Sequence, residues 1–188
     1  SSCHEAHKRS SGRGRADGLC FRRGGRDRFV LPKNFSASCP LNLFFPIRMN
    51  WKSQIETAFD AHLALCKNLQ AEHPHYNWVG FYWMDSEARM LELGAYVGAS
   101  TDHTRIPFGK GICGQVAESG EVFVVPDVSA QDNYLACSIE TQSEIVVPIY
   151  KDGELIGQLD IDSHTKDAFS PADQAKLEAV CRAVADAL

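Results

Sequence analysis

The 188-residue sequence lacks any apolar run long enough to cross a membrane. Its longest apolar stretches, Leu43 to Ile47 and Ile145 to Tyr150, are far shorter than the roughly 20 residues of a membrane-spanning helix. It also lacks a CxxC motif, a Cys/His cluster with zinc-site spacing and the composition of a collagen-like or wholly disordered chain. We therefore expect a globular protein that does not interact with membranes.

Seven cysteines are present, an odd number, and no signal-peptide pattern precedes them. This combination favours a reducing compartment, for which we take the cytoplasm, over a secreted disulfide framework. Cys66 and Cys181 fall on apolar stripes with helical spacing, so we expect both to be core residues. Cys113 and Cys137 fall outside such stripes.

The charge is divided unevenly along the chain. Residues 1–48 carry a net charge of +7 and are rich in Arg, Gly and Ser, whereas residues 49–188 carry −12. We expect the first segment to be a disordered basic leader. It fits a nucleic-acid-binding arm, an organelle-targeting segment or upstream sequence outside the working protein, which starts at Met49. The acidic charge of residues 49–188 and the small number of aromatic residues in the leader argue against nucleic acid as a partner.

Residues 49–188 show a regular order of secondary-structure patterns. Helical spacing runs from Trp51 to about Ala71, and strand-like runs cover 78–84, 90–97, 121–125, 143–150 and 154–162. A short helix is predicted from Ile112 to about Ser119, where Gly120 ends it, and a last helix covers 171–188 with Ser170 as its cap. The order predicts a single α+β domain, with terminal helices packed on a central antiparallel sheet.

The hairpin around Lys151-Asp152-Gly153 determines which side chains share a face. A three-residue loop with Gly153 in the left-handed conformation pairs Ile145 with Leu159 and makes one face wholly apolar. That register also pairs Ile149 with Leu155, and Glu144 with Asp160. Glu144, Asp160 and Asp162 then become neighbours on the opposite face.

Such a group of acids has two interpretations. It is a solvated strand end, or it is retained because it binds an ammonium group, a metal or a shared proton. A metal is disfavoured because no histidine joins the group and no calcium-binding loop is present, and we predict neither a metal site nor a cofactor.

Cys113 and Cys137 are the candidates for chemistry. Cys113 follows Gly109-Lys110-Gly111-Ile112 in the first turn of the short helix, where backbone N–H groups and Lys110 favour a thiolate. The glycines could instead cradle a phosphate, although GKG lacks the GxxxxGK[ST] pattern. Cys137 lies in a polar loop, where packing gives little reason for a cysteine. Two thiols near acids favour redox chemistry over acyl transfer, which needs a paired histidine.

The runs WVGFYWM, RIPFGKGICG, YLACS, SEIVVPI and LIGQLDIDS occur in this order and spacing. Together they resemble the free methionine-(R)-sulfoxide reductases, which are built on a single GAF domain. The resemblance covers residues 49–188 and excludes the leader. It implies an oxidoreductase that reduces free L-methionine-(R)-sulfoxide to methionine, with thioredoxin as electron donor and a homodimer as the expected assembly.

The resemblance also implies roles for individual residues. Cys137 matches the nucleophile that attacks the sulfoxide sulfur, and Cys113 matches a resolving thiol that closes a redox-active disulfide. The acids Glu144, Asp160 and Asp162 match the substrate contacts that hold the ammonium group and protonate the sulfoxide oxygen. Trp78 and Tyr82 match aromatic residues around the methyl-sulfur end, although alternating strand aromatics are equally typical of a core.

The sequence departs from the family pattern at one position. Many members carry a further cysteine ten residues before the GxCG cysteine, where this chain has His103. Cys113 must then resolve the intermediate directly, or an external reductant must do so. His103 is expected to be a solvent-facing loop residue, with proton transfer as an alternative. The competing function is a non-catalytic GAF module that senses a small ligand.

Overall fold

The computed structural model describes residues 51–133 and 138–188. The predicted leader, residues 1–48, and the candidate nucleophile Cys137 lie outside the described residues. Four helices are described: α1 (Trp51–Thr57), α2 (Phe59–Glu72), α3 (Gly111–Ser119) and α4 (Pro171–Ala187). The strands are β1 (Trp78–Asp85), β2 (Met90–Val97), β3 (Arg105–Pro107), β4 (Phe123–Val125), β5 (Ser143–Lys151) and β6 (Glu154–Ser163). None of the described helices is long and apolar enough to span a bilayer.

The six strands form one sheet in the order β3-β2-β1-β6-β5-β4, and every neighbouring pair is antiparallel. The predicted α+β class with a central antiparallel sheet is thus confirmed. The single helix expected over residues 51–71 is divided at Ala58, whose ψ of 3° is far from the helical value. The predicted caps are confirmed, since Ser170 and Asp173 form a capping box on α4 and Gly120 ends α3 in the left-handed conformation.

The sheet is covered on both faces, which is why β1 is buried along most of its length. The first face packs against α2 and α4 through an apolar cluster that includes Phe81, Ile145 and Leu159, and both Cys66 and Cys181 lie in it as predicted. The second face packs against α3 through another cluster that includes Ile112 and Val116. The α3-facing side is where the candidate site residues lie.

The turn between β5 and β6 differs from the predicted one. Asp152 and Gly153 form a two-residue connection in which both φ angles are positive, +50° and +81°. This is the conformation of a type I′ turn, which Asp-Gly favours because it matches the twist of the strands. Ile156 is an extra residue in β6, since Ile149 pairs with Gly157 and Tyr150 with Leu155. The predicted three-residue loop is therefore wrong.

The bulge and the shorter turn together move the register by two residues. Glu144 lies opposite Asp162 and Ile145 opposite Ile161, where the sequence analysis expected Asp160 and Leu159. The predicted pairing of Ile149 with Leu155 is wrong for the same reason. Because side chains alternate with a period of two, this shift leaves the β6 side chains beyond the bulge, from Gly157 to Ser163, on their predicted face. Leu155, before the bulge, lies opposite Tyr150 and changes face. The apolar face and the acidic face are both present.

Candidate functional site

Three acidic side chains lie together on the face of β5 and β6 that α3 covers. Glu144 pairs with Asp162 across the two strands. Asp160 lies two residues before Asp162, on the same face of β6. Their exposed fractions are 4% for Glu144, 0% for Asp160 and 1% for Asp162. Burial this complete excludes a solvated strand end, so the group is a buried acidic cluster.

The acidic cluster has few groups to satisfy it. Within residues 51–133 and 138–188, Asp160 Oδ1 and both carboxyl oxygens of Asp162 are buried and have no hydrogen-bond partner. None of the ion pairs between described residues involves these acids. Unpaired buried carboxylates are costly, so the cluster is built to receive a proton or a cationic ligand.

Burial changes how these carboxyls titrate. It raises the pKa of Asp160 to about 7, although the hydrogen bond from Cys113 acts in the opposite direction. Burial and then the neighbouring acids raise the pKa of Glu144 well above its usual range. The pKa of Asp162 is raised by burial and by Asp160, and the nearby Thr141 hydroxyl acts in the opposite direction. The cluster therefore retains protons near neutral pH.

Helix α3 brings Cys113 onto the acidic cluster. The residue lies in the first turn of α3, is buried, and donates its thiol hydrogen bond to Oδ2 of Asp160, with 3.2 Å between Sγ and Oδ2. The sequence predicts that the helix N-terminus and Lys110 act on this thiol, whereas in the structure the thiol donates to a carboxyl group. The arrangement allows the thiol proton to pass to Asp160.

The described residues on both sides of Cys137 are held close to this region. Asn133 donates from Nδ2 to the carbonyl of Gly109 at 2.8 Å and accepts from the N–H of Gly111 at 3.3 Å, so it is fixed at the start of α3. On the other side, the N–H of Gln142 donates to the carbonyl of Ser163, the last residue of β6, at 2.8 Å. Cys137 is four residues from Asn133 and five from Gln142 along the chain. Both ends of the segment are thus attached to elements that carry the candidate site.

Two aromatic residues line the same face of the sheet. Trp78 pairs with Asp162 in the β1–β6 register, and Tyr82 pairs with Gln158. Both side chains are buried, and their ring centroids lie 6.2 Å apart in a stacked arrangement. Trp78 donates from Nε1 to the carbonyl of Ala99, and Tyr82 donates to the carbonyl of His103. They belong to the α3-side core and also adjoin the acidic cluster.

Two further residues on this face, Gly80 and Gln158, were not predicted from the sequence. Gly80 pairs with Asp160, and a methyl group at this position would overlap the Trp78 ring. Gln158 is fully buried beside Tyr82, and neither of its amide atoms has a hydrogen-bond partner among the described residues. The sequence signal for Gly80 was its place between Trp78 and Tyr82 on one face of a strand, because a glycine in a strand often marks a close approach of another group to the backbone. His103, expected to face solvent, is half-buried.

Among the described residues, two groups of side chains could hold a metal ion. In the first, the donor atoms of Cys113, Glu144 and Asp160 all lie within 4.8 Å of one another, and all three residues are buried. The second comprises His73, His75 and Asp173, which are half-buried. There the ammonium of Lys176 lies 2.8 Å from Nε2 of His73, and its positive charge opposes a cation.

Comparison with known proteins gives a consistent result. The GAF domain family profile matches residues 56–188. Protein YtsP of Bacillus subtilis is 43% identical over 104 residues, which are 55% of this chain and 63% of that protein. The free methionine-R-sulfoxide reductase of Saccharomyces cerevisiae is 36% identical over 139 residues, covering 73% of this chain and 75% of that enzyme.

A solved structure gives the same match. The X-ray structure of the free methionine-R-sulfoxide reductase of Neisseria meningitidis, in complex with its substrate, is 34% identical with a TM-score of 0.66. The match covers 72% of this chain and 84% of the Neisseria chain. The likeness therefore extends over most of the part of the chain that the structure describes.

Proposed function

The chain belongs to the GAF domain family and, within it, to the free methionine-R-sulfoxide reductases, and we propose that it reduces free L-methionine-(R)-sulfoxide to L-methionine. The observation that carries this proposal is the buried acidic cluster in hydrogen-bond contact with a thiol. A sulfoxide reductase needs both a sulfur nucleophile and a proton donor, because the sulfoxide oxygen must be protonated before the sulfur–oxygen bond breaks. Carboxyls that retain protons near neutral pH can supply that proton.

In the proposed reaction, the thiolate of Cys137 attacks the sulfoxide sulfur. The oxygen passes to the cysteine, methionine leaves, and Cys137 becomes a sulfenic acid. The thiol of Cys113 then attacks this sulfenic acid, a disulfide forms, and the hydroxyl leaves as water with one proton. Asp160, which accepts the Cys113 hydrogen bond, is placed to take the thiol proton in that step.

The substrate contacts follow from the charges of the cluster. The ammonium group of a free amino acid is a cation of suitable size for a site with three carboxyls and no ion-pair partner among the described residues. Glu144 and Asp162 form the paired end of the cluster, and Trp78 lies beside Asp162. We assign the ammonium to these acids, and the methyl-sulfur end to Trp78 and Tyr82. A peptide-bound methionine sulfoxide has no such ammonium and is excluded.

The physiological setting is part of the proposal. We propose thioredoxin as the dithiol that reduces the disulfide, the cytoplasm as the compartment and a homodimer as the assembly. We further propose that residues 49–188 carry the catalytic domain and that residues 1–48 do not take part in the chemistry. Removal of residues 1–48 should then leave reductase activity unchanged, and salt-dependent nucleic-acid binding by the full chain would point to a different role.

An assay of four substrates tests the proposed function. The full chain, a dithiol reductant and either epimer of methionine sulfoxide are combined, with each epimer supplied free or with a blocked amino group. We expect turnover of the free (R) epimer alone. Equal use of the blocked (R) form would contradict the ammonium assignment, and binding of the free amino acid without turnover would favour a ligand-sensing GAF module.

A further inference from the structure

The region around Cys113 brings together more acidic groups than the described residues pair. One thiol and two carboxyls, those of Glu144 and Asp160, place their donor atoms within 4.8 Å of one another in a buried setting. Asp160 is fully buried, and its Oδ1 has no hydrogen-bond partner in the described part of the chain. Groups of this kind that lie so close normally surround a cation or share protons.

The spacing of these donors resembles that of a metal site. In a tetrahedral zinc site, with Zn–S near 2.3 Å and Zn–O near 2.0 Å, adjacent sulfur and oxygen ligands lie about 3.5 Å apart. Sγ of Cys113 and Oδ2 of Asp160 are 3.2 Å apart. One edge of the coordination polyhedron is therefore already present with a proton in place of the metal. A carboxyl oxygen of Glu144 lies within 4.8 Å of both donors and is the candidate third ligand.

The type of donor selects the metal. Calcium and magnesium prefer sites made of oxygen alone, whereas a thiolate with carboxylates suits zinc. The sequence disfavours a metal because no histidine and no calcium-binding loop joins the three acids. The thiol ligand comes from the packing of α3 on the sheet, which brings Cys113 to β5 and β6.

We propose that Cys113, Glu144 and Asp160 bind a zinc ion through the thiolate sulfur and one oxygen of each carboxyl. Binding displaces the thiol proton and any proton that the two carboxyls share, and these protons pass to water. If the chain has the proposed function, the metal occupies the region that receives the substrate ammonium. Zinc and methionine sulfoxide then exclude each other. Zinc then acts as a reversible inhibitor that blocks both the resolving thiol and the acids.

Metal titration of the full chain, fully reduced, tests this site directly. Zinc affinity is measured by competition with a chromophoric chelator, and cobalt replaces zinc to report thiolate ligation through its near-ultraviolet charge-transfer band. We expect Cys113→Ser, Glu144→Gln and Asp160→Asn each to weaken zinc binding by at least about tenfold. Cys39→Ser, a change in the leader, serves as the matched cysteine control and should leave the affinity unchanged. Unaltered affinity and an unaltered cobalt band in Cys113→Ser would overturn the proposal.

A second measurement keeps the proposal testable if a variant fails to fold. In the wild-type chain, zinc should protect Cys113 from alkylation, as mapped by mass spectrometry, and free methionine sulfoxide should reverse the protection. Alkylation of Cys113 at the same rate with and without zinc would contradict the site. These readouts are separate from turnover. Protection by zinc in a chain with no reductase activity would support the metal site and refute the proposed function. Reductase activity in a chain whose Cys113 is not protected by zinc would refute the metal site and support the proposed function.

Discussion

The thiol of Cys113 on α3 and the carboxyl of Asp160 on β6 are joined by a hydrogen bond of 3.2 Å, although 47 residues separate them in sequence. The contact connects the two kinds of chemistry that a sulfoxide reductase needs, a thiol that exchanges and an acid that moves protons. Its geometry depends on how α3 packs over the sheet, since the same apolar cluster holds Ile112 and Val116.

The first prediction concerns the reactivity of Cys113. A negative charge next to a thiol disfavours the thiolate, and a hydrogen bond to that charge further stabilises the protonated thiol. Asp160→Asn removes the charge, so we expect Cys113 to be alkylated about tenfold faster at pH 8 than in the wild-type chain. Peptide mass spectrometry after timed iodoacetamide treatment gives the rate. An unchanged rate would mean that the carboxyl does not control this thiol. A slower rate would mean that Asp160 acts on the resting thiol mainly as a base, and would contradict the expected inhibition.

The second prediction concerns the pH dependence of stability. Burial raises the pKa of Asp160 to about 7 and also raises those of Glu144 and Asp162, whereas in the unfolded chain such carboxyls titrate near 4. Between about pH 4 and pH 7 the folded state thus binds more protons than the unfolded state, and the free energy of unfolding decreases as the pH rises. We expect a higher Tm at pH 5 than at pH 8 by calorimetry. A Tm that rises over this range would contradict it.

The third prediction separates stability from function at Asp162. Both of its carboxyl oxygens are buried and have no hydrogen-bond partner in the described region. Asp162→Asn removes a buried charge, so we expect a Tm at pH 8 at least about 4 °C above that of the wild-type chain, together with weaker use of methionine sulfoxide. The wild-type difference in Tm between pH 5 and pH 8 should also become smaller.

Asp127 provides the matched control for Asp162. Asp127 pairs with Lys166 and accepts hydrogen bonds from Ser129. These contacts lower its pKa to about 2. Its carboxylate therefore favours folding at pH values above about 4, the opposite sign to Asp162. Asp127→Asn should give no gain in Tm at pH 8. Equal gains in the two variants would show that the effect is not specific to the buried acidic cluster.

The fourth prediction uses two glycines that lie under tryptophans on opposite faces of the sheet. A methyl group at Gly80 would overlap the Trp78 ring on the acidic face, and one at Gly157 would crowd Trp83 on the face packed by α2 and α4. We expect both Gly→Ala variants to lose stability, but only Gly80→Ala to raise the KM for methionine sulfoxide, by about tenfold or more for a displaced ring. Steady-state kinetics beside thermal unfolding would separate the two effects. Equal KM values would remove Trp78 from the substrate site.

Much of this fold could be predicted from local patterns. The strand runs, the caps at Ser170 and Gly120, and the face shared by Glu144, Asp160 and Asp162 all follow from periodicity and turn chemistry. The three acids lie on the predicted face although the predicted loop is wrong, because the register differs by two residues and an even shift keeps the face. A bulge such as that at Ile156 has no clear sequence signal, since it depends on how the strand twists against its neighbours.

The burial of the acids and the position of Cys113 could not be predicted in the same way. Whether a strand end is solvated depends on what covers it, and here the cover is α3, a helix distant in sequence. The partner of the Cys113 thiol is set by the same packing. The expectation that Lys110 would act on it used only local sequence, and local sequence does not contain Asp160.

The most direct test of the account is a single turnover without a reductant. The reduced full chain is mixed with an equimolar amount of free L-methionine-(R)-sulfoxide, and the products are analysed by amino-acid analysis and a non-reducing peptide map. We predict release of methionine together with a disulfide between Cys113 and Cys137, and no release in Cys137→Ser. Methionine release by Cys137→Ser, or a wild-type product in which Cys113 and Cys137 both remain alkylatable thiols, would contradict the account.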